Sequence, residues 1–134
     1  MPDAEKPDVL GDVEMLLVVD DNPGVQRTLE MVFGSLGFDV DVAASGPEAL
    51  SLLAVRDYAA VVCDLLMPDM RGDELFWLCR ERRPEIADRF VFLTGSPDLE
   101  EEAAPLDRTG QPWLTKPCRI AELQAAVNNV RGVD

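Results

Sequence analysis

Two hydrophobic rhythms take turns along this chain. Met15 to Val19 is a continuous apolar run closed by Asp20-Asp21, the pattern of a strand covered on both faces. Asn22-Pro23 then supplies a helix cap and a proline at the first helical position. Val25, Leu29, Val32, Phe33 and Leu36 follow at helical spacing until Gly37 stops them. Phe38 to Ala44 alternates apolar and acidic residues, a period-two strand near a sheet edge. Ser45-Gly46-Pro47-Glu48 has the form of a capping box and opens a short helix through Ala49, Leu50, Leu53 and Ala54. Ala59 to Cys63 reads as a third strand. Asp73 to Arg83 reads as a helix burying Leu75, Phe76, Leu78 and Cys79, closed before Pro84. Phe90 to Thr94 is a fourth buried strand, turned by Gly95-Ser96-Pro97. Across 98–108, Leu99, Ala103 and Leu106 line one helical face, but Pro105 breaks the interior, so a short or irregular helix is expected. Trp113 to Thr115 is a short fifth strand. Ile120, Leu123, Ala126, Val127 and Val130 form a last amphipathic helix.

Strand and helix thus alternate five times, with connections too short for a second domain. That predicts a doubly wound α/β sandwich: a five-stranded parallel sheet with five helices. Residues 1–13, with Pro2, Pro7, Gly11 and many acids, read as a flexible leader or linker, and 14–134 as the one domain. In such folds ligands bind at the carboxyl ends of the strands, by a topological switch point.

Composition narrows the chemistry. The 134 residues carry 12 basic and 26 acidic side chains, a net charge of −14. That balance argues against nucleic acid or an anionic membrane as a direct partner and leaves room for a cation. No apolar run reaches the roughly 18 residues of a membrane span, and the acidic start is unlike a signal peptide. Cys63, Cys79 and Cys118 are too few and too scattered for a disulfide framework or a CxxC metal site, and read as small apolar residues in a reducing, cytoplasmic setting. The chain has no histidine, which excludes a Ser-His-Asp or Cys-His triad, His-ligated zinc and a phosphohistidine of its own.

The stretch from Val61 to Gly72 organises the rest. It places one carboxylate, Asp64, where an apolar strand ends; Met67-Pro68 forces an extended or turning backbone behind it, and Gly72 permits a sharp reversal into the next helix. A buried strand has little use for an ionised Asp unless something pairs with it. Asp20 and Asp21 follow strand one, Thr94 ends strand four, and Lys116-Pro117 follows strand five, all at the same sheet edge. With strands ordered 2-1-3-4-5, Asp20, Asp21 and Asp64 converge at the switch point. Three carboxylates packed together repel, so one takes up a proton unless a cation binds. Mg²⁺, which prefers oxygen ligands and keeps several waters, suits such an open site. Thr94 adds a hydroxyl and Lys116 a mobile positive charge, while Gly95, without a side chain, leaves the approach to Asp64 open.

From about Met15 onward the chain resembles the receiver domain of two-component response regulators. The resemblance rests on Asp20-Asp21, the Asp64-x-x-Met67-Pro68-x-Met70-x-Gly72 run, Thr94-Gly95 and Lys116-Pro117, in that order. It implies a flavodoxin-like fold of strand order 2-1-3-4-5. It also implies that Asp64 accepts a phosphoryl group from the phosphohistidine of a sensor histidine kinase or histidine phosphotransfer protein. Mg²⁺ (or Mn²⁺) would be held by Asp20, Asp21, Asp64 and the backbone carbonyl of Leu66. Such a domain is a signalling module that catalyses its own phosphorylation and dephosphorylation rather than an enzyme with a free substrate. Trp113 stands where the family usually has Tyr or Phe as a switch residue paired with Thr94; a large core aromatic is the plainer reading. The face around the fourth helix, fifth strand and fifth helix usually signals onward and can carry a weak homodimer. Arg119 stands where an acidic or polar cap is common. The sequence ends one helix after Lys116, as expected of a stand-alone receiver or one excised from a larger protein, and the leader and acidic fourth-helix region resemble receivers attached to hybrid sensor kinases.

Three other readings keep some of these features. A pseudo-receiver would keep the fold and bind partners without phosphorylation. An aspartate-nucleophile phosphatase of the haloacid-dehalogenase type needs a second Asp two residues after the nucleophile, where this chain has Leu66. A flavin or nucleotide carrier would show a GxxxxGK[ST] or GxGxxG loop, and neither occurs.

Overall fold

A computed structural model describes residues 13–95 and 99–132. The leader expected over 1–13 therefore lies, Val13 apart, outside the described residues. Five strands, β1 (Met15–Val19), β2 (Asp39–Ala43), β3 (Ala60–Asp64), β4 (Phe90–Thr94) and β5 (Trp113–Thr115), form one parallel sheet in the order β2-β1-β3-β4-β5. Six helices pack on it: α1 (Pro23–Ser35), α2 (Gly46–Val55), α3 (Gly72–Arg82), α4 (Pro84–Ala87), α5 (Leu99–Thr109) and α6 (Ile120–Val130).

The central strands are buried on both faces, so each reads as an unbroken apolar run and its alternate residues feed two separate cores. Leu16, Val18, Val62, Val91 and Leu93 meet Leu29 and Phe33 of α1 and Leu123 and Val127 of α6. Leu17, Val19, Val61, Cys63, Phe90 and Phe92 meet α2, α3, the α4 turn and Leu106 of α5. β2 lies at one edge and pairs only with β1, which explains its acidic alternation. Asn22 caps α1 as expected, its side-chain oxygen accepting from the N–H groups of Gly24 at 2.8 Å and Val25 at 3.1 Å. Gly37 ends that helix with φ +99°, a conformation that favours glycine. The capping box of α2 closes slightly wide. Ser45 Oγ accepts from Glu48 N, but the Glu48 carboxylate reaches back to Ala44 N at 2.8 Å.

Three expectations need correction. The described residues hold six helices, not five: Pro84 closes α3 and also begins a one-turn helix that drives Ile86 and Ala87 fully into the core. Leu78 is 37% exposed, because α3 turns its Leu75, Phe76 and Cys79 stripe to the sheet and leaves Leu78 at the rim. Pro105 does not break its helix, which runs unbroken from Leu99 to Thr109. The proline removes one N–H donor from the ladder, and the fully buried Leu106 beside it anchors the helix in the core.

Gly72 serves close approach rather than a left-handed turn, since its φ is not positive. A Cβ there would lie 2.4 Å from the carbonyl oxygen of Asp64 and 3.1 Å from Cys63 Sγ, while Gly72 N donates to Leu65 O at 2.8 Å. Gly72→Ala should therefore lower stability by about 3 kcal/mol, the upper range of overpacking against atoms that cannot move away. A thermal melt checks it; a loss under about 0.5 kcal/mol would show that the loop yields freely.

Candidate acidic site at the carboxyl edge of the sheet

The register of β1 and β3 builds the site. Val18 pairs with Val62 and Val19 with Cys63, so the next residues in line are Asp20 and Asp64. Their alternation with Val18 and Val62 turns both carboxylates to the face covered by α1 and α6. Asp20 is 1% exposed and Asp64 8%. Asp21, one residue on, is exposed, yet carboxylate oxygens of Asp20, Asp21 and Asp64 all lie within 4.8 Å of one another. Asp20 is fixed from several directions: Asn22 N donates to its carboxylate at 2.9 Å, Gln26 Nε2 to its carbonyl at 2.6 Å, and its own N–H donates to Ala43 O. The tight turn after Asp64 is held by Cys63 Sγ–H donating to Asp64 O and by Leu65 N donating to Leu93 O.

Lys116 enters from the end of β5. Its Nζ lies 3.0 Å from Asp20 Oδ2 and 3.4 Å from Asp64 Oδ1. Its backbone N–H donates to Thr94 O at 2.7 Å, tying the ends of β4 and β5 together, and the Lys116–Pro117 peptide is cis. Burial disfavours the charged forms of both partners, with unequal results. For Asp64, burial outweighs the attraction of Lys116, and Asp20 and Asp21 add repulsion, so its carboxyl titrates above the ordinary range. For Lys116, burial is outweighed by the Asp20 hydrogen bond and the Asp64 charge, so its ammonium is held above its ordinary value and stays charged. Three carboxylates around one ammonium leave negative charge in excess, and the donor set is all oxygen. Those features fit a hard divalent cation.

Thr94 is fully buried and alternates with Phe90 and Phe92, on the sheet face of α2 to α5. Trp113 pairs in register with Phe92 and packs partly buried on the same face. Its indole Nε1–H donates to Asp107 Oδ1 of α5 at 3.0 Å. Leu66 is 45% exposed in the turn after β3. Gly95 leaves open space: a Cβ there would meet only Lys116 Cδ, at 4.0 Å. Beside it an apolar groove of about 590 Å³ runs between α1 and α6, lined by Val25, Leu29, Val32, Lys116, Pro117 and Ile120 among others. Ile120, predicted on the apolar face of its helix, is 57% exposed along this groove. The structure thus brings Asp20, Asp21, Asp64 and Lys116 together and sets Thr94 and Trp113 on the opposite face of the sheet.

Sequence reasoning missed Gln26, Asp107 and the groove. Gln26 is one helical turn from the cap and carried no signal apart from that spacing. All three cysteines are free and behave as apolar residues. Burial pushes the Cys63 thiol well up and Cys79 to about 11, and raises Cys118 as well. Arg119 starts α6 without a side-chain cap of its own; Glu122 compensates by accepting from Arg119 N at 2.9 Å. No helix among the described residues is long and apolar enough to cross a membrane.

Known proteins resemble this chain in sequence and in fold. The chain is 34% identical over 122 residues to a probable transcriptional regulator, ycf27, of Porphyridium aerugineum, covering 90% of this chain and 50% of that protein. It is 36% identical over 111 residues to the response regulator MprA of Mycobacterium sp. (strain KMS), covering 82% of this chain and 47% of that protein. It therefore spans about half the length of the curated relatives it matches. Among solved structures, the receiver domain of the Francisella response regulator 1452 superposes with a TM-score of 0.77 at 28% identity, over 89% of this chain and 97% of that one. A receiver-domain protein from Methanospirillum hungatei superposes at 0.80 with 22% identity, over 90% of this chain and 95% of that one, a likeness of fold alone. The family model described as the response regulator receiver domain matches residues 16–128, from the first strand into the last helix. That stretch contains the register pairs that align Asp20 with Asp64 and the strand that delivers Lys116, and the chain belongs to the receiver-domain family of response regulators.

Proposed function

We propose that this domain is a phosphoacceptor of a two-component phosphorelay, with Asp64 as the phosphorylated residue. The observation that carries the reading is the burial of Asp64 beside Asp20, Asp21 and the Lys116 ammonium, at a sheet edge left open by Gly95. A carboxylate oxygen of Asp64 attacks the phosphorus of a partner's phosphohistidine. The new O–P bond forms as the N–P bond breaks, and the bonding pair returns to the imidazole nitrogen. Asp20, Asp21, Asp64 and the Leu66 backbone carbonyl would hold Mg²⁺ or Mn²⁺. When bound, that ion supplies positive charge against the phosphoryl oxygens. Lys116 exchanges its carboxylate partners for a phosphoryl oxygen, and the Thr94 hydroxyl donates to another. Gly95 admits the donor, and the apolar groove between α1 and α6 offers a sensor kinase or phosphotransfer protein a contact surface next to Asp64.

The acidic balance of the segment keeps nucleic acid away from the domain itself, so any DNA contact belongs to other parts of a longer protein. We place the domain in the cytoplasm, where its phosphohistidine partners act. The face of α5, β5 and α6 carries the signal onward and can hold a weak homodimer. Incubation with Mg²⁺ and acetyl phosphate, followed by intact mass, tests the reading. A gain of one phosphoryl supports it. Steady phosphate release from phosphorylated metabolites would favour the phosphatase, and no covalent change under any donor the pseudo-receiver.

Thr94→Ala separates acceptance from transmission. The variant should still gain a phosphoryl, because Asp64 and the acidic cluster are intact. Its response to beryllium fluoride, followed by amide shifts over 99–119, should shrink to a minor fraction of wild type, since one hydroxyl hydrogen bond of about 1 kcal/mol is removed. Full-size shifts in this variant would remove Thr94 from the switch.

A further inference from the structure

The indole of Trp113 is held on the outer side of β5 by a carboxylate of the neighbouring helix. Nε1–H donates to Asp107 Oδ1 at 3.0 Å, linking the first residue of β5 directly to the last turns of α5. The next residue on that helix, going back, is Leu106, fully buried in the core, so Asp107 stands on a fixed base. Thr109 Oγ1 donates to Leu106 O at 2.6 Å and accepts from Gln111 N at 3.1 Å, which stiffens the turn between α5 and β5. Trp113 and Thr94 share one face of the sheet: Phe92 pairs with Trp113, and Thr94 with Thr115. Thr94 and Trp113 are therefore diagonal neighbours on that face, a separation that a large aromatic side chain can span.

We infer that the Trp113–Asp107 hydrogen bond is a latch that weights the domain toward its unphosphorylated conformation. The inference rests on the phosphoacceptor reading above and adds Asp107 as the residue that sets the switching threshold. When the Thr94 hydroxyl turns to a phosphoryl oxygen on Asp64, the indole follows only by releasing Asp107. A bond to an ionised carboxylate is among the stronger neutral-donor bonds, and here water competes for it because it is exposed, so its loss costs enough to tilt an equilibrium and too little to lock it. The latch therefore acts on the balance of two states and leaves the chemistry at Asp64 untouched.

The experiment uses the full chain carrying Trp77→Phe, which leaves Trp113 as the lone tryptophan of two. Beryllium fluoride is titrated in excess Mg²⁺ while Trp113 emission is followed, in this background and with Asp107→Ala or Asp107→Asn added. Asp107 is exposed, so both variants should keep the far-ultraviolet circular dichroism of the parent. Asp107→Ala should lower the half-saturating concentration about three- to fivefold, the weight of one exposed hydrogen bond to a carboxylate. Its unliganded emission should also move part of the way to the saturated spectrum. Asp107→Asn keeps a neutral acceptor and should fall between. A saturable response with the same midpoint, within twofold, in all three proteins overturns the latch and leaves the phosphoacceptor reading standing. Absence of any saturable response in all three, with intact mass also unchanged by acetyl phosphate, overturns both.

Discussion

Asp64→Asn should abolish phosphorylation and, in the absence of divalent metal, make the protein more stable. The first effect is the loss of the nucleophile: the amide keeps the shape of the side chain and offers no anionic oxygen to phosphorus. The second follows from the site's electrostatics. Burial, with Asp20 and Asp21 adding their repulsion, raises the carboxyl of Asp64 even though Lys116 opposes it. A carboxyl that titrates higher in the folded than in the unfolded chain binds its proton more tightly when folded, so stability falls as pH rises from the unfolded value, near 3.9, through the folded one. At pH 7 the wild type bears this penalty, and the amide bears none. The gain should appear as a higher Tm at pH 7 and should vanish as pH drops below about 4. Intact mass with acetyl phosphate and melts at pH 7 and pH 3.5 read the two effects separately. A phosphoryl on the amide variant would move the acceptor elsewhere; a variant less stable than wild type at pH 7 would mean that Lys116 relies on Asp64 more than on Asp20.

Much of this arrangement was legible in the residues because each element announces itself by a local rule. The strands β4 and β5 fall at their predicted bounds, since continuous apolar runs between turn residues leave little room for another reading. The convergence of Asp20, Asp21, Asp64 and Lys116 followed from placing three strand ends on one sheet edge, and the structure sets these side chains beside one another. What stayed hidden depends on contacts between distant elements. Gly72 was expected for its freedom of turning, yet what it supplies is room for the carbonyl of Asp64, a demand set by two chain segments meeting. Pro105 was expected to break a helix, and the burial of Leu106 overrode a local propensity. Asp107 carried no sign of a role because its partner lies across a turn, six residues on.

The second large effect concerns the acidic cluster as a ligand. With three carboxylates converging and a single ammonium among them, the site is short of positive charge, so a hard divalent ion should bind the folded protein and not the unfolded chain. Mg²⁺ at ten times its dissociation constant should then stabilise wild type by about 1.4 kcal/mol. Asp20→Asn removes one of the three charges and keeps one oxygen, enough for either the Asn22 N bond now made to Oδ1 or the Lys116 bond now made to Oδ2. Two opposite shifts are then expected. Without metal the variant should melt no lower than wild type, because repulsion at Asp64 is relieved. With metal it should lose most of the Mg²⁺-dependent rise in Tm, and its phosphorylation by acetyl phosphate should slow about 100-fold, as for losing roughly 3 kcal/mol of charge stabilisation. Excess EDTA should suppress phosphorylation of the wild type to the same floor. Phosphorylation that proceeds undiminished in EDTA, or a Mg²⁺-dependent rise in Tm that survives Asp20→Asn in full, would take the ion away from this cluster and leave Lys116 as the sole counter-charge at Asp64.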